Sequence, residues 1–101
     1  MILEIAEIDV TPGAEAAFES AVAQAVELFR GAHGCRSLDL QRSIEHPSRY
    51  RLLVGWERVE DHVNGFRNSP AFQAWRALVG PHFAAPPRVE HTRSVLAGFG
   101  P

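Results

Sequence analysis

The chain has 101 residues, the length of one ordinary domain with one core. Apolar residues make up 46% and charged residues 22%, which fits a folded globular protein and excludes a disordered or collagen-like chain. A net charge of -2 supplies no basic field for phosphate backbones or anionic lipid, so neither nucleic acid nor membrane is expected as a partner. All 10 basic residues are Arg, so there is no Schiff-base or P-loop lysine. Any oxyanion must meet guanidinium, imidazole, an amide or water. The single cysteine, Cys35, cannot close an intrachain disulfide and argues against a secreted disulfide scaffold. Met1 to Val10 mixes Glu4, Glu7 and Asp9 into its apolar residues, unlike a signal peptide or a spanning helix. These features together read as a soluble, cytoplasmic protein.

Ile2 to Val10, rich in Ile and Val and stopped by Thr11-Pro12-Gly13, is predicted as a strand. A helix follows, with Thr11 as N-cap, Pro12 at its first position and Phe18, Val22, Val26 and Phe29 along one face. It should end near Ala32, with Gly34 in the left-handed conformation that commonly closes helices. Arg36 to Arg42 alternates, Leu38 and Leu40 against Ser37, Asp39 and Gln41, as a strand with one wet face. Glu45-His46-Pro47-Ser48 turns the chain into a second strand, Tyr50 to Glu57. There Tyr50, Leu52, Val54 and Trp56 line one side and Leu53 sits on the other, the mark of a central strand. Val59 to Phe66 reads as a short helix, broken around Gly65 and Asn68. Ser69-Pro70 then starts another, striped by Phe72, Trp75 and Val79 and stopped by Gly80-Pro81. Arg88 to Leu96 is the last predicted strand, and residues 97–101 form a loose tail.

Strand, helix, strand, strand, helix, strand is the α+β, ferredoxin-like split βαβ arrangement: a four-stranded antiparallel sheet with both helices on one face. The first strand places Ile2, Ala6, Ile8 and Val10 on one side but Leu3 and Ile5 on the other, so the open face needs cover. The simplest cover is the same face of a second copy, giving a homodimer through the sheet.

Nearly the whole chain, Ile2 to about His91, resembles the antibiotic biosynthesis monooxygenase family of dimeric α+β barrel proteins. The resemblance is carried by Ile2-Leu3-Glu4-Ile5 with Val10-Thr11-Pro12-Gly13, by Val54-Gly55-Trp56-Glu57, by the run His62 to Phe72 (HVNGFRNSPAF), and by Val89-Glu90-His91. It implies a single domain over residues 1–101 and oxygenation without metal or flavin, in which a deprotonated substrate delivers electrons to molecular oxygen. Haem-degrading members carry an Asn, a Trp and a haem-ligating His at positions that fall on Ala6, Phe66 and Arg76 here. A guanidinium cannot ligate iron, so haem is not expected.

Such chemistry requires an apolar cavity, a base and donors for the developing anion. His62, four residues before Phe66 on one helix face, is the leading candidate base, and His91 the second. Arg76 is the candidate anion stabiliser, placed at the pocket by the resemblance, with Arg67 nearby in sequence. Phe66, Trp75, Trp56 and Phe72 are candidate walls, Asn64 a candidate amide donor and His82 a candidate lid. Each aromatic also reads as plain core, and each polar group as surface. His33 and His46 flank turn residues and read as exposed. No His-x-x-x-His or Cys-x-x-Cys spacing points to a metal. Cys35, beside a helix C-terminus, should have a raised pKa and be unreactive. The functional reading is a cofactor-independent monooxygenase of a small aromatic quinol or polyketide-like compound. Two alternatives remain at this level: a dimer that binds an aromatic without catalysis, and an isomerase of an enolisable carbonyl compound.

Overall fold

The computed structural model describes residues 1–101, and its elements follow the expected order. Strand β1 spans Ile2–Asp9, helix α1 Glu15–Arg30, strand β2 Cys35–Arg42, strand β3 Arg49–Trp56, helix α2 Pro70–Val79 and strand β4 Arg88–Thr92. The strands form one antiparallel sheet in the order β2-β3-β1-β4, with β3 and β1 central. Both helices lie over the face formed by Ile2, Ala6 and Ile8 of β1 and by Tyr50, Leu52, Val54 and Trp56 of β3, all buried. No helix is long and apolar enough to cross a membrane.

Several boundaries differ from the sequence reading. Helix α1 starts at Glu15 with Ala14 as N-cap and no side-chain cap, so Thr11 does not cap it. Thr11-Pro12-Gly13 is instead a tight turn, closed by the Ala14 N–H on the Thr11 carbonyl at 2.9 Å. Gly13 adopts φ +97°, which no helical residue can hold. Ala21 and Ala25 are buried on α1 with Phe18, Val22 and Phe29, and Val26 is half-buried at the edge. Strand β4 ends at Thr92 and not at Leu96; residues 93–101 carry no regular structure and expose Val95, Leu96 and Phe99.

The segment before α2 is the other departure. In place of a short α-helix, Asp61–Gly65 makes one π-helical turn, in which the Phe66 N–H reaches the Asp61 carbonyl, and Phe66–Asn68 a 3-10 turn. Wide turns of this kind recur at functional sites. Here the turn delivers His62 and Phe66 together to the interior. Ser69 then caps α2 as expected, its side chain accepting the Phe72 N–H at 3.2 Å. The turn is held against the end of α1 by a close approach. Gly34 adopts φ +79°, and a Cβ there would overlap the buried Asp61 carboxylate.

The opposite face of the sheet is half apolar and half charged. Ile5 pairs with Leu53 and Leu3 with Gly55 at one end. At the other end Arg88 donates to Glu7 and Arg49 to Asp9, each at 2.8 Å.

Candidate functional site

Alternation along β1 places Glu4 in the inward row between Ile2 and Ala6, so a carboxylate sits in the core-facing surface, 5% exposed. An unpaired buried carboxylate costs several kcal/mol, so its surroundings must answer it. They do. The indole N–H of Trp56, diagonal to Glu4 on neighbouring β3, donates to Oε1 at 3.0 Å. His62 Nε2 lies 3.3 Å from the same oxygen. The His62 ring stacks on Trp56, with centroids 5.4 Å apart and planes within 17°. Its other nitrogen, Nδ1, is 2.8 Å from His91 Nε2, and His91 stands directly across from Glu4 on edge strand β4. Glu4, His62 and His91 thus lie in one line from the interior to the half-exposed edge of the sheet, with His62 and His91 hydrogen-bonded and Glu4 in close polar contact with His62.

Oε1 takes both of these contacts, and Oε2 makes none. No side-chain oxygen or nitrogen in the molecule is both fully enclosed and without a partner. Oε2 is therefore the oxygen open to the adjacent cavity. This cavity, of about 590 Å³, lies between the inward face of the sheet and the helices. Glu4, Ala6, Leu52 and Val89 form its floor; Phe66, Phe72, Trp75 and Phe83 form its aromatic side. His62, Arg67 and Arg76 are its remaining ionisable groups.

Burial pushes the Glu4 pKa above the ordinary carboxylate value, and the Trp56 hydrogen bond and the Arg67 charge only partly oppose it. Burial first, then the charges of Arg67 and His91, lowers His62 from 6.5 to about 4. The nearby Glu4 oxygen would favour an imidazolium, but desolvation outweighs it and His62 is neutral at physiological pH.

Of the residues singled out in the sequence, His62, Phe66, Phe72, Trp75 and Arg76 line this cavity. His91 reaches it only through His62. Trp56 is fully buried beneath His62 and Phe66 and positions Glu4; it is not a wall of the cavity. Asn64 is exposed and meets only Asn68, through its backbone carbonyl, because the π turn carries it outward. His82 lies in the 3-10 turn after α2, off the cavity, where its carbonyl accepts the Thr11 N–H at 2.9 Å. Arg76 is exposed at the rim, its guanidinium carbon 5.9 Å from the Phe72 ring centre. Arg67 is half-buried and acts electrostatically on both Glu4 and His62. His33 and His46 are exposed as expected. Burial, with the Glu4 charge adding to it, raises the pKa of Cys35. Glu4 was missed. Its signal was present in the sequence as a carboxylate in register with Ile2, Ala6 and Ile8.

Comparison with known proteins agrees with this fold. The sequence model of the antibiotic biosynthesis monooxygenase family matches residues 1–78. YczJ, an uncharacterized protein of Bacillus subtilis (strain 168), is 38% identical over 95 residues, covering 94% of this chain and 100% of YczJ. A candidate antibiotic biosynthesis monooxygenase of known structure from Bordetella bronchiseptica is 56% identical, with a TM-score of 0.93 over 94% of this chain and 97% of its own. SnoaB from Streptomyces nogalater, described as a cofactor-independent oxygenase, has a TM-score of 0.81 at 16% identity, covering 96% and 95% of the two chains, a likeness of fold alone. With a match over most of its length and close relatives on both counts, this chain belongs to the antibiotic biosynthesis monooxygenase family.

Proposed function

We propose that the chain is a cofactor-independent monooxygenase of a small aromatic quinol or polyketide-like compound, with Glu4 as the base that touches the substrate. The observation that carries this reading is the open Oε2 of a buried carboxylate whose pKa is raised, at the floor of an apolar cavity. Raising a carboxylate toward neutrality strengthens it as a proton acceptor at the pH of the cell. Nδ1 of His62 is held by His91 and Nε2 faces Glu4, which favours Glu4 over His62 for direct proton abstraction. His62 and His91 take the next step. When the carboxyl group turns its proton toward His62 Nε2, the Nδ1 proton of His62 moves to His91, from which solvent removes it. Trp56 holds the carboxylate through the indole N–H, and Arg67 favours the substrate anion.

The deprotonated substrate then gives electrons to molecular oxygen in the aromatic-walled cavity. One oxygen atom enters the ring carbon and the other leaves as water. The chain works as a homodimer on this reading, with the Leu3, Ile5 and Leu53 patch of the outer sheet face covered by the same patch of a second copy.

Oxygen uptake over a panel of quinols and anthrones tests the activity, with Glu4→Gln as the paired variant. Uptake above autoxidation that disappears in Glu4→Gln supports it. No uptake above autoxidation across the panel overturns it. Exchange of substrate protons with solvent, without oxygen consumption, replaces it by the isomerase reading.

A further inference from the structure

Every arginine outside the cavity, except Arg93 in the C-terminal tail, lies within ion-pair distance of a carboxylate. Arg67 and Arg76 have no such partner, and both line the cavity. The one carboxylate on the cavity wall is Glu4, already hydrogen-bonded to Trp56 and in contact with His62. The cavity therefore presents two uncompensated guanidinium groups over an apolar interior. A transient oxyanion formed at Glu4 accounts for the half-buried Arg67. It leaves the second charge, Arg76 at the rim, unexplained. A guanidinium is a planar fork of donors, suited to a carboxylate held in bidentate fashion.

We propose that the natural ligand is an aromatic acid, a flat ring system with a permanent carboxylate that Arg67 and Arg76 seat while its hydroxyl end faces Glu4. Phe72 supports this arrangement, because its ring lies under the Arg76 guanidinium and keeps that fork at the cavity mouth. A carboxylate at Arg67 also has a consequence for the site. It cancels a positive charge that works against proton uptake by both Glu4 and His62, the groups on β1 and the π turn that feel it. The ligand's own anion then strengthens the base that acts on it. This inference deepens the oxygenase reading in naming the substrate class, but its test needs no turnover, so either can fail alone.

Isothermal titration calorimetry with 6-hydroxy-2-naphthoate and its neutral amide, 6-hydroxy-2-naphthamide, decides it. The carboxylate is expected to bind about ten-fold or more tightly than the amide at low salt, since hydrogen bonds between ionised partners are roughly twice as strong as neutral ones. Arg76→Gln, at an exposed position, and Arg67→Gln should each weaken the naphthoate several-fold more than the naphthamide. The double variant should erase the preference. Equal affinities, no binding of either compound, or a preference that survives in the double variant would each overturn the proposal. A circular-dichroism melt confirms that the variants fold, and Arg76→Gln alone keeps the test decisive if Arg67→Gln does not.

Discussion

The neutrality of His62 has a measurable thermodynamic consequence. Its folded pKa of about 4 lies below the unfolded value of 6.5, so the imidazole must stay neutral to remain buried. The unfolded chain binds the proton first as pH falls, and stability present above 6.5 is lost as pH drops toward 4. At 1.36 kcal/mol per unit, the loss attributable to His62 is about 2 kcal/mol by pH 5 and about 3 kcal/mol by pH 4. Glu4 works in the opposite direction. Its raised pKa contributes stability below 4.5 that is lost as pH rises through its folded value. Comparing Glu4→Gln with Glu4→Gln/His62→Gln removes this opposing titration. Urea unfolding at pH 7, 6, 5 and 4 should show the single variant losing about 3 kcal/mol more than the double one between the extremes. Parallel curves would mean that His62 protonates as readily in the folded protein as in the unfolded chain. The buried neutral imidazole, and the relay built on it, would then have to be abandoned.

Four other outcomes follow from the same geometry. Glu4→Gln keeps an acceptor for the Trp56 N–H but cannot take a proton, so kcat should fall by about 10²- to 10⁴-fold with KM little changed. Gly34→Ala should cost about 1–2 kcal/mol for its positive φ, plus the displacement of Asp61 next to His62. Gly13→Ala, also at positive φ but in open space, should cost only the backbone part, and equal melting temperatures would refute the Asp61 contact. Ser69→Ala should lower stability by about 1 kcal/mol through loss of the α2 cap, measured by urea unfolding. Ile5→Glu sets a charge against Leu53 in the outer patch, and sedimentation should then report a single-chain mass for the variant and twice that mass for the proposed wild-type homodimer.

Most of the architecture was legible because it rests on local periodicity. β3 shows its inward row of Tyr50, Leu52, Val54 and Trp56 directly, and Ser69-Pro70 announces the start of α2. The departures fall where non-local contacts or an unusual backbone decide. Gly13 at positive φ turns a plausible cap sequence into a loop, and nothing in the spacing of Asp61 to Phe66 separates a π turn from an α-helix. β4 stops at Thr92 because its pairing with β1 runs only from Arg88 opposite Glu7 to Thr92 opposite Leu3, a limit set by the partner strand.

The site was legible in its parts but not in its connection. His62 and His91 stand out as histidines, yet 29 positions separate them, and only the pairing of β4 with β1 brings them within 2.8 Å. Glu4 is the more instructive omission. Read by composition, a Glu in this strand marks a segment unlike a membrane-spanning helix; read by alternation, it marks a charge turned inward. The two readings are compatible, and the second carries the chemistry. A core-facing strand position that holds a carboxylate between Ile2 and Ala6 requires donors from elsewhere in the chain. Trp56 donates to it and His62 stacks on Trp56 with Nε2 3.3 Å from the same oxygen, so the residue least suited to the core gathers both rings about one oxygen and leaves the other for the cavity.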